Sequence, residues 1–337
     1  MNGKSTSSAP AVAFKRVIVA SEGGAGLVPL TRFALRLAAP DAFVRLTEVV
    51  CNPAALCPRL LMSYPDWREA HRAMQHEAST RLTLAARQAA AFVAKPETDL
   101  IDLAAMHWQA TEALSRSARE WHADLIAVAS HPRSHRWACR LNPEELVAMS
   151  HCPVLHVPFA HVCTKDAGVT RVLVAVDRSP PSLTALHIAA SVVPKGTVFR
   201  LVYVLDRPAW LGELLPRDRF GLDGEQTLRQ ARKLIRGTSK TVELAVVETE
   251  TLSDDIASTV LHEAKRWQAD LLVMSTSSKP KFVHPLPGHV VAQTLRDAEC
   301  PVLVCPSTIE ATANVAHHNQ RPLQSASRGA VSASGVL

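Results

Sequence analysis

The 337-residue chain carries nearly the same text twice. Arg16-Val17-Ile18-Val19-Ala20 returns as Arg171-Val172-Leu173-Val174-Ala175, and Glu120-Trp121-His122-Ala123-Asp124-Leu125-Ile126 as Arg266-Trp267-Gln268-Ala269-Asp270-Leu271-Leu272. Cys152-Pro153-Val154-Leu155 returns as Cys300-Pro301-Val302-Leu303. The three offsets, 155, 146 and 148 residues, agree closely and keep the same order. This is a tandem duplication, so whatever one half folds into the other must fold into too. Each copy is roughly 140–150 residues, close to the commonest domain size and long enough to bury a core. Function is then to be sought where the copies differ.

Within each copy, short apolar runs alternate with longer stretches of helical period. Strands are expected at Val17–Ala20, Val44–Val50, Leu100–Leu103, Leu125–Ala129 and Val154–Val157, then at Val172–Val176, Val198–Leu205, Val242–Val247, Leu271–Met274 and Val302–Cys305. Helices are expected near Leu30–Ala39, Trp67–Val93, Thr111–His122 and Pro143–His151. In the second copy they fall near Leu183–Val193, Glu225–Gly237, Asp254–Gln268 and Gly288–Ala298. Continuous apolar strands joined through helices demand parallel pairing with both faces covered. The expected fold is α/β, with two tandem, doubly wound, five-stranded parallel sheets of Rossmann-like type. Ligands of such sheets sit at the carboxyl ends of the strands, where the strand order switches.

Composition removes several functions. The net charge of +6 is spread thinly: residues 14–160 carry 16 Lys/Arg against 14 Asp/Glu, and residues 171–305 carry 17 against 15. No nucleic-acid footprint is expected from so dilute an excess. No apolar run reaches the roughly 18 residues of a membrane span, and the Ser/Ala/Pro-rich start has no signal-peptide core. The expected setting is cytoplasmic, with the seven cysteines as thiols. Residues 1–13 and 307–337 have too little apolar surface to offset ordering entropy and are expected to be disordered tails. Trp121 and Trp267, at the end of the third helix of each copy, are expected to pack on the sheet. Cys152 and Cys300 read as small core residues with no base beside them.

With these elements in this order, the Val-Ala-x-Asp end of strand one, the Ala-Asp-Leu-Leu of strand four and the closing Cys-Pro-Val-Leu-Val resemble the universal stress protein family. The resemblance covers about Phe14–Pro158 and Val169–Pro306, giving domains at 14–160 and 169–306. It implies a tandem protein whose halves pack as a pseudo-dimer, pairing their last strands and so removing two exposed edges. Members of the family are typically cytoplasmic and support survival under stress. Some bind ATP through a Gly-x2-Gly-x9-Gly-Ser/Thr loop after strand four. Glycines in such a loop let backbone approach phosphate, and the helix that it opens attracts an anion.

In the second copy that spacing lands on Ser275, Ser278, Gly288 and His289. One glycine survives, and Lys279 and Lys281 follow the hydroxyl residues. Asp177 stands at the end of strand one, where nucleotide-binding relatives carry an acid, and Val204 at the end of strand two, where they contact the base through main chain. The resemblance therefore implies an adenine nucleotide, ATP with Mg²⁺, held weakly by the second copy; loss of that ability is the alternative.

In the first copy the same positions are Ala129, Pro132, Asn142 and Pro143. Pro132 offers no N–H. Asn142-Pro143-Glu144-Glu145 reads as a self-contained helix start, with Asn as N-cap, Pro at N1 and two acids in the first turn. Those acids already complement the helix dipole and repel phosphate. The Glu22–Gly26 stretch lacks the Lys-Ser/Thr of a Walker loop and reads as a strand-to-helix turn.

Three readings stay open: a stress-response binding module, an interaction protein that acts through dimerisation, and a zinc protein using His131, His135, Cys139, His151, Cys152, His156, His161 and Cys163. Pro132 and the arginines at 133, 136 and 140 oppose the third, so no metal is expected. A further homodimer is compatible with the sequence. No paired carboxylates, nucleophile–base arrangement or cofactor fingerprint appears, so a binding protein rather than an enzyme is expected.

Overall fold

The computed structural model describes residues 13–21, 26–56, 63–105, 109–129, 141–158, 168–205, 217–235, 241–249, 255–276 and 289–307. The tails, most of the segment between the copies, Glu22–Ala25 and residues 130–140 lie outside them. In the first half the elements are β1 (Phe14–Ser21), α1 (Leu27–Ala34), β2 (Ala38–Val50), α2 (Pro53–Leu56), α3 (Tyr64–Ala89), β3 (Glu97–Asp102), α4 (Ala110–Glu120), β4 (Leu125–Ala129), α5 (Pro143–Ser150) and β5 (Val154–Val157). The second half follows with β6 (Arg171–Ala175), α6 (Pro180–Val192), β7 (Val198–Leu205), α7 (Arg217–Leu234), β8 (Thr241–Glu248), α8 (Ile256–Arg266), β9 (Leu271–Ser275), α9 (His289–Asp297) and β10 (Val302–Cys305).

The two five-stranded sheets join through their last strands into one sheet of ten, in the order β3-β2-β1-β4-β5-β10-β9-β6-β7-β8. Pairing is parallel within each half, and β5 meets β10 antiparallel, with His156 opposite Val302, Leu155 opposite Leu303 and Val154 opposite Val304. The order reads the same from either end once the copies are exchanged. Pairing the two last strands satisfies backbone groups that an exposed edge would leave open.

The central strands are buried on both faces, which is why they read as unbroken apolar runs. On one face α1, α3, α6 and α7 cover Val17, Val19, Leu46, Leu155, Leu201 and Leu303. On the other, α4, α5, α8 and α9 cover Ile18, Ile126, Val154, Val202, Leu272 and Val302. Each core runs through the β5–β10 seam, so residues of both halves share it.

The first helix differs from its expected span. Leu30–Ala39 reads as helical, but α1 ends at Ala34, and Ala38 already pairs with Phe14 in the sheet. The stretch between is a tight turn in which the Leu37 and Ala38 amides bond the Ala34 and Leu35 carbonyls at 3.0 and 3.3 Å.

The repeated Trp-x-Ala-Asp landmark has one structural explanation in both halves. His122 and Gln268 take left-handed conformations (φ 53° and 56°) that end α4 and α8 just after the tryptophans. Asp124 then accepts from the Lys15 and Arg16 amides at 2.7 and 2.9 Å, and Asp270 from those of Thr170 and Arg171, both at 3.0 Å. Strand four is thereby fastened to the start of strand one. Each tryptophan is buried as expected, and it is also clasped: Arg16 and Arg45 lie 4.3 and 4.6 Å from Trp121, Arg171 and Arg200 4.5 and 5.8 Å from Trp267. The two indole N–H groups donate to Glu97 and Glu243, each at 3.0 Å.

Glu48 of β2 is fully buried, and its Oε1 accepts from the Arg81 guanidinium of α3, with an Nε distance of 2.7 Å. Burial pushes this carboxyl up, and Arg81 opposes the shift. Among the cysteines, Cys51 is disulfide-bonded, so the expectation of seven thiols fails there. Cys152 and Cys305 are free and buried, and burial pushes both thiols up to about 12. No helix among the described residues is long and apolar enough to cross a membrane.

Candidate functional site

In the second half the strand order reverses between β6 and β9, and the carboxyl ends of β6, β7 and β9 open on one edge. Asp177 follows β6 there and is exposed. Its Oδ1 accepts from the Ser179 amide at 2.8 Å and from the Ser179 hydroxyl. Its own amide donates to Ser182 Oγ at 3.2 Å, and that hydroxyl donates to the Asp177 carbonyl at 2.9 Å. The turn into α6 therefore holds the carboxylate in place. One strand away, the Val176 amide bonds the Val202 carbonyl at 2.8 Å, bringing the end of β7 and Val204 alongside. On the other side Ser275 ends β9, paired with Cys305, and the next amide, Thr276, bonds the Cys305 carbonyl at 2.9 Å.

Asp177, Val204 and Ser275 thus end three consecutive strands. Ser278 and Gly288 lie outside the described residues. His289 is the first residue of α9, and its side chain lies outside them as well.

The sequence reading missed four residues at this edge. Tyr203 of β7 is half-buried; burial raises its phenol, Arg178 draws it back down, and Asp223 and Asp177 push it up. Arg178 pairs with Asp223 of α7 at 3.1 Å. Gly224 admits this contact between helix and strand, since a Cβ there would stand 2.9 Å from Tyr203 Cδ1. A glycine inside a helical stretch was the available signal.

At the corresponding edge of the first half, Asn142 Oδ1 accepts from the Glu144 and Glu145 amides at 3.1 and 3.4 Å, with Pro143 at the first helical position. The Asn142 amide donates to Thr111 Oγ1 at 3.1 Å. Burial raises the Glu144 carboxyl, and Glu145 adds to the shift. The helix start is filled by its own chain, as the sequence predicts.

Against known proteins, the family model described as "Universal stress protein family" matches residues 168–306. The second half of the chain thus carries a universal stress protein domain. A universal stress protein of Methanocaldococcus jannaschii is 27% identical over 142 residues, covering 40% of this chain and 80% of that relative. Solved structures extend the likeness of fold over both halves. A universal stress protein of Archaeoglobus fulgidus aligns with 87% of this chain and 98% of its own at a TM-score of 0.59 and 15% identity. A putative universal stress protein of Pseudomonas aeruginosa aligns with 92% and 99% at 0.53 and 13%.

Of the residues in the zinc reading, His131, His135, Cys139, His161 and Cys163 lie outside the described residues. His151 is exposed in a left-handed helix cap, and Cys152 is buried. His156 is buried in β5, where burial lowers its imidazole to about 4. No group of three or more His, Cys, Asp or Glu able to hold a metal is found among the described residues.

Proposed function

We propose that this chain is a universal stress protein, a stress-response binding module of two domains, 14–160 and 169–306, in which only the second takes an adenine nucleotide, weakly. One observation carries the reading: Asp177 is an exposed carboxylate fixed at the β6–β9 switch point, whereas the helix start at the corresponding edge of the first half is occupied by Asn142, Glu144 and Glu145. A fixed carboxylate at a switch point accepts hydrogen bonds from sugar hydroxyls. The end of β7 at Val204 lies beside it for the base. By their spacing in the sequence, Ser275, Ser278, Gly288 and His289 would supply the phosphate turn, and Mg²⁺ would accompany the phosphates.

Serine in place of glycine at position 278 would weaken such a turn, because a non-glycine residue forced to positive φ costs about 1 kcal/mol, roughly fivefold in affinity. The helix start in the first half repels phosphate through its two acids. The role proposed is occupancy rather than turnover.

Calorimetric titration of ATP with Mg²⁺ into the full chain tests this. Asp177→Ala and Gly288→Val should reduce binding, and Asn142→Val should leave it unchanged. Equal loss from Asn142→Val would place nucleotide in both halves. No heat from the unaltered chain at about 1 mM ATP would favour the interaction reading, in which the module works through dimerisation.

A further inference from the structure

Three rings of α3 stand in one column at the carboxyl edge of the first half, and the nucleotide reading uses none of them. The Tyr64 and Trp67 centroids are 6.0 Å apart with 11° between planes, and those of Trp67 and His71 are 4.9 Å apart at 30°. The inner end is fixed by two sheet-end residues. Trp67 Nε1–H donates to Asn52 Oδ1 at 3.0 Å. His71 Nε2 lies 3.0 Å from each Asp102 oxygen, and that carboxylate also accepts from Gln75 Nε2 at 2.8 Å and from the Ala104 amide at 3.0 Å.

At the outer end Tyr64 is 68% exposed. The Arg68 guanidinium lies over this ring at 5.7 Å, looser than the 4.3 and 4.6 Å at which Arg16 and Arg45 pack on Trp121. A large ring left mostly in water gains little from folding. Backed by the column, with an exposed guanidinium over it, it is suited to receive another flat ring: the guest takes the place of Arg68 on Tyr64, and Arg68 closes on its far side. Fixing the column in advance lowers the ordering cost of binding.

We propose that Tyr64, backed by Trp67 and His71 and covered by Arg68, binds a fused nitrogen heterocycle, purine or larger, without phosphate contacts. Asp102 and Asn52 act as positioning residues. The thin spread of positive charge over the first half favours a free small molecule over a nucleic-acid strand. The site lies away from the β6–β9 crevice and does not rest on the nucleotide reading.

The test uses the full chain carrying Asp177→Ala, which weakens the second-half site. Riboflavin, whose emission is quenched on stacking against tyrosine or tryptophan, is titrated, and adenosine is added as competitor. Saturable quenching is expected, weakened at least about fivefold by Tyr64→Ala and retained by Tyr64→Phe. Displacement by adenosine assigns the site to purines; quenching without displacement assigns it to larger rings. Riboflavin affinity unchanged by Tyr64→Ala would overturn the proposal, as would no binding of either compound at about 1 mM. A labelled single-stranded oligonucleotide that binds, and is released by Tyr64→Ala, would overturn the small-molecule assignment. Circular dichroism of the Tyr64→Ala chain separates loss of the platform from loss of the fold.

Discussion

His156 of β5 stands opposite Val302 of β10 across the antiparallel seam, buried, with its Nδ1 lacking a partner among the described residues. Val304 occupies the matching place in the second copy and packs into the core on the same face of the sheet. Burial lowers the imidazole to about 4, against about 6.5 in an unfolded chain. The unfolded chain therefore takes up a proton that the folded chain refuses as pH falls below 6.5. Stability is lost through that window until the folded group titrates near 4. Between pH 7 and pH 5 the loss should be about 2 kcal/mol. His156→Val should remove this share of the pH dependence and raise stability at pH 5, as read by urea unfolding at both pH values. A parallel loss in the variant would place its origin elsewhere.

The two tryptophan clasps should be energetically alike. Trp121→Phe and Trp267→Phe each keep most of the buried ring but leave Glu97 or Glu243 without its indole donor and weaken the arginine stacking. Each change should cost about 1–2 kcal/mol in chemical denaturation, and the two costs should agree to within about 0.5 kcal/mol. A neutral result in one copy alone would show that the repeated geometry does not carry equal weight.

Breaking the Glu48–Arg81 pair should be costly. Arg81→Met leaves a fully buried carboxylate without its cation and should destabilise by about 3–5 kcal/mol at pH 7. The penalty should shrink on acidification, because the stranded carboxyl, already raised by burial, can then protonate. Adding Glu48→Met should restore most of the stability. A double variant as weak as the single one would mean that Arg81 matters through its packing.

Asn142→Val separates a structural cap from a ligand contact. Loss of its bonds to the Glu144 and Glu145 amides should cost about 1 kcal/mol in thermal unfolding, with no change in nucleotide binding.

The duplication made the repeated strands legible because strands covered on both faces are written in unbroken Val, Leu and Ile, as at Val17–Val19 and Val172–Val174. It also exposed Trp121 and Trp267 as a matched pair, since a large buried ring leaves a conspicuous letter. Their partners Glu97 and Glu243 were hidden because they lie 24 residues away, on another element. Glu48 was unreadable for the same reason: an acid in a strand looks solvated until the helix carrying Arg81 is packed on it. The first helix was overextended because Leu35-Arg36-Leu37 suits a helix and a turn equally. At the candidate site, Asp177, Val204 and Ser275 could be placed because strand ends follow from strand positions. Tyr203, Arg178 and Asp223 could not, since they meet only through the approach of α7 permitted at Gly224.

The β5–β10 seam has a consequence for how the halves can change. Were the same sheet built from two identical chains, every substitution in the last strand would occur on both sides of the contact, and a buried histidine would be carried twice. Here His156 appears once, opposite a valine, and its burial is borne by one side only. Joining both strands in a single polypeptide frees each half to drift on its own. An acid-capped helix start beside β5 and an exposed carboxylate beyond β6 can then coexist in a molecule whose sheet still runs through without a break.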